Sequence, residues 1–550
     1  MMSSGEGRVS QYQVEALLTG DYRRTNTAQD GTVSTTVNKP DGSRVTISAD
    51  GTVHASVDGP DPRFGMQAPL NTSKTITTPG GIRLNSTQNK STVLTNIYDP
   101  FSITALETSS TVNGRRATSH YDVETLTLSQ VSAEGRETII QYNEKGRPVR
   151  NQVDGFNPAF ISYDNRGRPH TITSGEGGVA RTTTLGYDTN GYLTSITDAD
   201  NRTVIFINDI MGRVTRQTLP DNRHIDFSYD ANGNLKALIP PGREAHVFNY
   251  NSVDKEESYN PPPLNGAKTV NEYRYNLDKD LTEVIRPDGQ TVALAYNSGG
   301  KLNTLTIPRG QYSYGYDATT GQLDTITAPD GGQLSFGYDG FLPLSTTWSG
   351  EVIGTVSQSF DNNFWVTARS VNGMPVSYSY DNDGLLTQAG ELVLRRSPEN
   401  GLLTATTLGT TATSRSHNGF GEMASETAQT NGTAVLSTQY ERDKLGRITR
   451  KVENIEGVST VYDYGYDLAG RLVTVKENGS TVSTYTYDDN GNRLGHNDRG
   501  TVTSATYDAQ DRLQSYGNAT YSYTENGELI AKAEGGVTTQ YDYDVLGCTQ

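Results

Sequence analysis

Residues 466–494 read YDLAGRLVTVKENGSTVSTYTYDDNGNRL, a stretch that contains two copies of one short motif. Each copy begins with Tyr-Asp and has a glycine four residues after the tyrosine, at Gly470 and Gly491. Tyr466 and Tyr487, the two tyrosines, lie 21 residues apart. A period of this length predicts a tandem array in which each repeat is one small structural unit that needs its neighbours to bury apolar surface.

The motif recurs along most of the chain. Tyrosines with a glycine four residues later stand at the following positions: Tyr142, Tyr163, Tyr187, Tyr229, Tyr296, Tyr380, Tyr466, Tyr487, Tyr523 and Tyr543. The segments that begin at Asn208 and Tyr507 are degenerate copies that keep the spacing.

Each repeat has the pattern of a β-hairpin. Between Tyr316 and Tyr338, the segment Ala328-Pro329-Asp330-Gly331 has the residues of a tight turn, because proline fixes one φ and glycine accepts a positive φ. The strand after this turn places Leu334, Phe336 and Tyr338 on one face. Leu323 and Ile326 break the alternation, which predicts a bulge just after the glycine of the preceding turn.

The motif residues are predicted to be structural. The aspartate carboxylate can accept backbone N–H groups of the turn that follows it, and the glycine then takes a left-handed conformation. The fullest copies supply the residues assigned to this role: Tyr163, Asp164, Gly167, Tyr187, Asp188, Gly191, Tyr229, Asp230, Gly233, Tyr380, Asp381, Gly384, Tyr466, Asp467, Gly470, Arg471, Tyr487, Asp488 and Gly491.

The predicted fold is all-β. Adjacent hairpins of about 20 residues pair edge to edge into a spiralling antiparallel sheet that forms a hollow or partly hollow shell. We predict two regions, residues 1–140 with shorter, divergent hairpins and residues 141–550 with the repeats. Turn pairs follow one another closely in the first region, at Asp30-Gly31, Asp41-Gly42, Asp50-Gly51 and Asp58-Gly59. The segment 261–266 is predicted to be a loop inserted between repeats.

Composition restricts the class of protein. Only 33% of the residues are hydrophobic, a low fraction that is typical of disordered chains. The 32 tyrosines argue against disorder, because disordered segments contain few aromatic residues. A net charge of −17 disfavours nucleic acids and anionic membranes as partners. No run of about 18 apolar residues predicts a membrane span, and the first seven residues show no apolar core of a secretory signal.

No catalytic residue, cofactor site or metal site is predicted. Carboxylates that recur once per repeat at turn positions favour a structural role over acid–base catalysis, and the seven histidines form no close pair. Cys548 stands alone. Acidic turns such as Asp198-Ala199-Asp200-Asn201 resemble fragments of calcium loops without the full spacing. Trp348 and Trp365 would suit stacking on sugars, although packing on the sheet is the more common use.

The motif copies from residue 140 onward resemble the YD-repeat family, also called Rhs repeats. This family includes bacterial polymorphic toxins, the shell subunits of insecticidal toxin complexes and the YD shell of teneurins. The resemblance implies a hollow β-cage that encloses a C-terminal effector in the bacterial members and presents adhesion surfaces in teneurins. Two departures are visible: the Pro-x4-Asp-Pro-x-Gly motif of many bacterial members is absent, and the chain stops within a repeat at Tyr543.

These observations predict a non-enzymatic, secreted or cell-surface shell, truncated at its C-terminus. Its expected partner is a C-terminal effector domain beyond this chain. The alternative is a teneurin-like module for cell adhesion or carbohydrate binding, with a glycan or a cell-surface receptor as partner.

Overall fold

A computed structural model describes residues 1–264 and 269–548. These residues form 50 β-strands and one short 3₁₀ helix, Gly177–Val179. The strands form where β-branched and aromatic residues alternate with polar ones, as in His224–Tyr229, and they end at turns that contain Asp, Asn and Gly.

Strands β1 to β13 have these bounds: Met2–Ser3, Val9–Ala16, Tyr22–Thr27, Val33–Asn38, Ser43–Ile47, Val53–Asp61, Gly65–Thr77, Arg83–Leu94, Ile103–Val112, Arg115–Asp122, Thr127–Val131, Glu137–Tyr142 and Pro148–Val153. Strands β14 to β27 have these bounds: Ala159–Tyr163, Pro169–Ser174, Arg181–Tyr187, Leu193–Thr197, Thr203–Asn208, Val214–Thr218, His224–Tyr229, Leu235–Ile239, His246–Tyr250, Glu256–Asn260, Asn271–Tyr275, Leu281–Ile285, Thr291–Tyr296 and Leu302–Ile307.

Strands β28 to β38 have these bounds: Gly310–Tyr316, Leu323–Thr327, Gln333–Asp339, Leu342–Ser349, Gly354–Phe360, Val366–Val371, Met374–Tyr380, Leu386–Ala389, Leu392–Arg396, Leu403–Leu408 and Thr411–His417. Strands β39 to β50 have these bounds: Met423–Thr430, Thr433–Arg442, Ile448–Ile455, Val458–Tyr466, Leu472–Glu477, Ser480–Tyr487, Arg493–Asp498, Thr501–Tyr507, Leu513–Tyr516, Ala519–Tyr523, Leu529–Glu534 and Val537–Gln540.

Successive strands pair antiparallel, which confirms the predicted all-β sheet of tandem hairpins. In the pair β28–β29, Gly315 lies opposite Thr325 and Tyr316 lies opposite Leu323, so that Asp324 is an extra residue. The bulge expected after the glycine turn is therefore present. The same shift of register occurs at Tyr163, Tyr187, Tyr229, Tyr380, Tyr466 and Tyr487.

The sheet has only a thin core. The protein exposes 30583 Å² of accessible surface, whereas a compact chain of 59.7 kDa would expose about 19,000 Å². In the described part of the chain the buried hydrophobic core consists of Val292, Ile307, Leu342, Ala505, Ala519 and Val545. Most side chains on both faces of the sheet are partly exposed, as in a wall one layer thick.

The chain divides into two compact units. The first comprises residues 1–158, 294–306 and 310–414, and the second comprises residues 159–293, 307–309 and 415–550. Each unit thus combines an early and a late stretch of the sequence. The sequence-based division at residue 140 stays a prediction.

Strand lengths within residues 1–140 vary. Strands β3 to β5 have 6, 6 and 5 residues, but β7 and β8 have 13 and 12. The predicted turn at Asp58-Gly59 is wrong: both residues lie within β6, where Asp58 pairs with Asn71 and Gly59 with Leu70 on β7 at shifts of register. Of the predicted inserted loop, residues 265 and 266 lie outside the described part of the chain, and Pro262 is fully buried.

Candidate functional site: the repeat turns

The aspartate of each motif organises the turn that follows its tyrosine. In the repeat of Tyr163, the carboxylate Oδ1 of Asp164 accepts the backbone N–H groups of Arg166 and Arg168, both at 2.9 Å. The N–H of Gly167 donates to the Asp164 carbonyl oxygen at 2.9 Å, and Gly167 has φ of 83°. One side chain thereby satisfies two backbone donors within a five-residue turn.

The other predicted aspartates occupy the same position. Oδ1 of Asp188 accepts the N–H groups of Gly191 and Tyr192, and Oδ1 of Asp230 accepts those of Asn232 and Asn234. The same bonds to the residue four positions later are made by Asp381, Asp467 and Asp488. The predicted glycines 191, 233, 384, 470 and 491 also have positive φ.

An arginine at the fifth position of the turn connects one repeat to the next. Nε of Arg471 donates to Oδ2 of Asp467 at 2.7 Å, and its guanidinium carbon lies 4.9 Å from the centroid of the Tyr487 ring in the following repeat. Burial acts to raise the pKa of Asp467, but the hydrogen bonds from Arg471 outweigh it, and the pKa lies below its ordinary value. The same stacking joins Arg168 to Tyr187, Arg213 to Tyr229, Arg447 to Tyr466, and Arg512 to Tyr523.

The hydroxyl group of the motif tyrosine also points to the preceding repeat. The Tyr487 hydroxyl donates to the carbonyl oxygen of Leu472 at 2.7 Å, and the Tyr466 hydroxyl donates to that of Ile448 at 2.7 Å. The acceptor is in each case the first residue after the preceding turn. Equivalent bonds are made by Tyr187, Tyr229, Tyr380 and Tyr523. The sequence shows the spacing of these tyrosines but not this bond.

Other arginines join stretches of chain that are far apart in sequence. In the first unit, Arg136 donates to Asp381 at 2.7 Å and to Asp383 at 2.5 Å, and the Arg136 side chain is 12% exposed. Burial acts to raise the pKa of Asp381, but the Arg136 guanidinium outweighs it and holds the pKa below its ordinary value. Lys301 lies 2.5 Å from Asp30 in the same unit.

The second unit contains the same kind of contact. Arg243 bridges Asp488 at 2.5 Å and Asp511 at 2.7 Å, and Arg181 makes two bonds to Glu422 at 2.7 and 2.9 Å. The separation in sequence is 245 residues for Arg136–Asp381 and also for Arg243–Asp488. Within each unit the sheet therefore returns to lie against itself, as a spiralling sheet requires.

A complementary sequence pattern underlies these distant pairs. The turn that ends at Arg136 has Ser132 where other turns have aspartate, and Arg243 follows Pro240-Pro241-Gly242. Their acceptors Asp381 and Asp488 belong to turns whose fifth residue is Leu385 or Asn492, not arginine. In both pairs, an arginine whose own turn lacks the aspartate is bonded to an aspartate whose own turn lacks the arginine. Sequence reasoning missed this signal.

The remaining candidates from the sequence have ordinary partners. Asp198 pairs with Arg202 at 2.9 Å, and Asp200 pairs with Arg447 at 3.3 Å. The Trp365 ring contacts Tyr380 and lies under the guanidinium of Arg115, at 4.0 Å. Within the described ranges no three His, Cys, Asp or Glu side chains are grouped closely enough to hold a metal ion.

Comparison with known proteins identifies the family to which this architecture belongs. A family model described as Teneurin YD-shell matches residues 4–549. The chain belongs to the teneurin YD-shell family. The YD-shell chain is 28% identical to Teneurin-3 of Danio rerio over 278 residues, which are 47% of the chain and 10% of that protein. It is 26% identical to Teneurin-1 of Gallus gallus over 405 residues, 69% of the chain and 14% of that protein.

Solved structures show the same fold. The crystal structure of TcdB2-TccC3 matches 96% of the YD-shell chain with a TM-score of 0.65 and 13% identity, and the match covers 36% of that chain. The Photorhabdus luminescens Tc holotoxin pore matches 95% of the chain with a TM-score of 0.62 and 11% identity, over 37% of its length. The YD-shell chain thus spans a minor part of each of these proteins. No helix in residues 1–264 or 269–548 is long and apolar enough to cross a membrane.

Proposed function

We propose that this YD-shell chain is part of the wall of a secreted or cell-surface container that encloses or presents a C-terminal effector. The observation that carries the proposal is the fold match to TcdB2-TccC3 over 96% of the chain. The function is mechanical: the wall separates an enclosed polypeptide from solvent until release.

The side chains of the repeat support a structural role and not catalysis. Asp467 and Asp164 use their carboxylates to hold backbone amides and an arginine of the same turn. A carboxylate that is engaged in this way is not available to accept a proton from a substrate. We therefore propose that the chain is not an enzyme.

Small-angle X-ray scattering of the full chain tests whether the wall encloses space. A solid, compact chain of 550 residues has a radius of gyration of about 24 Å. We expect a larger value and a distance distribution with depleted short distances, because the mass lies in a thin sheet. A radius of gyration near the compact value would contradict the proposal.

A protected passenger tests the direction of enclosure. One fusion carries an unstructured, protease-sensitive polypeptide after the C-terminus, and the matched control carries the same polypeptide before Met1. We expect slower proteolysis of the C-terminal passenger. Equal cleavage of both would exclude enclosure by this chain, and saturable binding of the unfused chain to glycans or cell surfaces would favour the adhesion module instead.

A further inference from the structure

An unrepeated aromatic surface lies on strands β22, β23 and β24 of the second unit. Tyr250 at the end of β22 lies opposite Glu256, and Phe248 lies opposite Tyr259. Phe248 and Tyr250 lie on one face of β22 because they are two residues apart. Each shares that face with the residue opposite it, and a shift of register at Tyr250 brings Glu256 to the same face as Tyr259. Tyr259 lies opposite Asn271 on β24, which places Tyr273 and Tyr275 on that face too. We call this surface the Glu256 face: Phe248, Tyr250, Glu256, Tyr259, Tyr273 and Tyr275.

Three rings of the Glu256 face are held in place by contacts with their neighbours, namely those of Phe248, Tyr250 and Tyr259. The centroids of Phe248 and Tyr259 are 5.2 Å apart with an interplanar angle of 25°. The His246 ring is also stacked with the Tyr259 ring, with centroids 6.0 Å apart. Nδ1 of His246 lies 2.7 Å from the Tyr259 hydroxyl. The Tyr250 hydroxyl donates to the carbonyl oxygen of Leu235 at 3.1 Å. These contacts fix the rings of Phe248, Tyr250 and Tyr259 before any ligand arrives.

Glu256 departs from the repeat pattern. The residue opposite the motif tyrosine is apolar in most other repeats: Leu193 opposite Tyr187, Leu235 opposite Tyr229, Leu281 opposite Tyr275, and Leu472 opposite Tyr466. At Tyr487 it is a cation, Arg493. At Tyr250 this position holds a carboxylate. The wall would be built equally well with leucine, so the carboxylate has no evident structural purpose.

The Glu256 carboxylate has no partner among the described residues. It is half-buried and makes no hydrogen bond or ion pair with them, and burial raises its pKa. Burial and then the negative charge of Glu256 raise the pKa of Tyr259, Tyr273 and Tyr275. The carboxylate therefore lies within electrostatic reach of several phenol rings. An unpaired charge in an apolar setting is costly unless a counter-ion compensates it.

We propose that the Glu256 face binds an organic ammonium ion. The carboxylate supplies the negative charge, and the tyrosine and phenylalanine ring faces supply cation–π attraction and apolar contact. A hard metal cation would need several oxygen ligands, and only one carboxylate is present on this face. Both a quaternary ammonium molecule and a lysine side chain of another polypeptide carry this chemistry.

Isothermal titration calorimetry of the full chain with choline and with N-acetyl-lysine amide tests the proposal. The control ligand is 3,3-dimethylbutan-1-ol, which has the shape of choline without its charge. We expect saturable binding of at least one cation and binding of the neutral alcohol that is at least about tenfold weaker. Binding of choline only identifies a small quaternary ammonium ligand, and binding of the lysine analogue identifies a basic polypeptide. Absence of binding, or equal binding of the alcohol, would overturn the proposal.

Two variants separate the site from the fold. Glu256→Gln removes the charge, and we expect it to weaken cation binding about tenfold or more while leaving the melting temperature unchanged or higher, because an unpaired half-buried charge is lost. The matched control is Glu272→Gln, since Glu272 lies opposite Ser258 on the other face of the same strands. Unchanged binding by the Glu256 variant, or an equal loss in the Glu272 variant, would refute the assignment.

The ring contribution has its own pair of variants. Tyr273→Phe keeps the aromatic face, and Tyr273→Leu keeps the apolar volume without it. We expect the phenylalanine variant to bind the cation as the native chain does and the leucine variant to bind more weakly. Equal binding by both variants would exclude a cation–π site. This inference does not rest on the proposed enclosure, and calorimetry is independent of the scattering and proteolysis tests.

Discussion

At the scale of single residues, the motif tyrosine makes two kinds of contact between repeats. Its ring receives the guanidinium of the preceding repeat, as Tyr487 does from Arg471. Its hydroxyl donates to the backbone of that same repeat, at Leu472. The tyrosine therefore fixes the position of a neighbour as well as filling the sheet face. This dual use explains why phenylalanine, which has the same ring, is not the usual residue at this position.

Replacement of Tyr487 by phenylalanine should destabilise the chain. The carbonyl oxygen of Leu472 loses its donor, which costs about 1 kcal/mol in the free energy of unfolding. Urea unfolding followed by circular dichroism measures the loss. The exposed Tyr12 gives the matched control, and Tyr12→Phe should have no effect. Equal stability of the Tyr487 variant and the native chain would show that the hydroxyl bond contributes nothing.

The carboxylates predict sensitivity to acid. Burial acts to raise the pKa of Asp30, but hydrogen bonds from Lys301 and Thr32 outweigh it and lower the pKa from 3.8 to about 2. A carboxyl whose pKa is lower in the folded state stabilises the fold above its ordinary pKa, and this contribution disappears as the pH falls through the folded value. The pKa values of Asp381 and Glu422 are lowered by arginines in the same way.

We therefore expect stability to be constant above about pH 5 and to fall between about pH 4 and pH 2. Urea midpoints at several pH values measure this change. Asp30→Asn should reduce the free energy of unfolding at pH 7. It should also make the loss of stability between about pH 4 and pH 2 smaller, because the charged partner of Lys301 is already absent. A native chain as stable at pH 3 as at pH 7 would contradict the assignment.

At the scale of the element, the turn is a local structure that its own five residues specify. The aspartate satisfies backbone donors and the glycine adopts a positive φ, and both effects need only near neighbours. Asparagine replaces glycine at two equivalent positions, Asn201 with φ of 62° and Asn222 with φ of 69°. Asparagine tolerates this conformation better than other residues with a Cβ. The register shift at the tyrosine then sets the start of the next strand.

Gly491 offers a clean test of the turn. Its φ is 97°, and a Cβ placed there would meet no atom within 4 Å. Gly491→Ala should therefore cost about 1–2 kcal/mol in the free energy of unfolding through backbone strain alone. Gly491→Asn should cost less, because asparagine occupies such turns elsewhere in the chain. Chemical denaturation distinguishes the two variants, and equal losses would mean that steric contact and not φ is responsible.

At the scale of the whole molecule, the distant arginine pairs hold together stretches that local rules leave independent. Arg136 and its two aspartates are largely withdrawn from water, so that their attraction is less screened than that of surface pairs. Arg243 makes the corresponding contact in the second unit. Each hairpin ladder would form without these pairs, but it would lack a fixed position against the later stretch of chain.

Arg136→Met should be strongly destabilising. It leaves Asp381 and Asp383 without their cation, and loss of one member of a buried pair costs about 3 kcal/mol. Limited proteolysis and thermal unfolding should both show a loosened first unit, while the strand content by circular dichroism stays nearly native. The matched control, Arg24→Met, changes an exposed arginine on β3 and should have little effect. Equal behaviour of the two variants would show that the distant pair does not hold the sheet.

The sequence by itself determined the repeat, the strand alternation, the turn chemistry and the bulge, because each depends on residues within one hairpin. From Tyr466 to Gly491 the turns and the alternation of the strands can be derived from residue types and spacing, but the bonds of the tyrosine hydroxyl groups cannot. Tertiary structure alone decided that Arg136 meets Asp381. It also decided that Glu256 lies among the tyrosines of neighbouring strands with no ion-pair partner in residues 1–264 and 269–548. These contacts depend on where the sheet returns against itself and on which side chains share a face across three strands. Such distances follow from the accumulated twist and register of many strands, which no single repeat encodes.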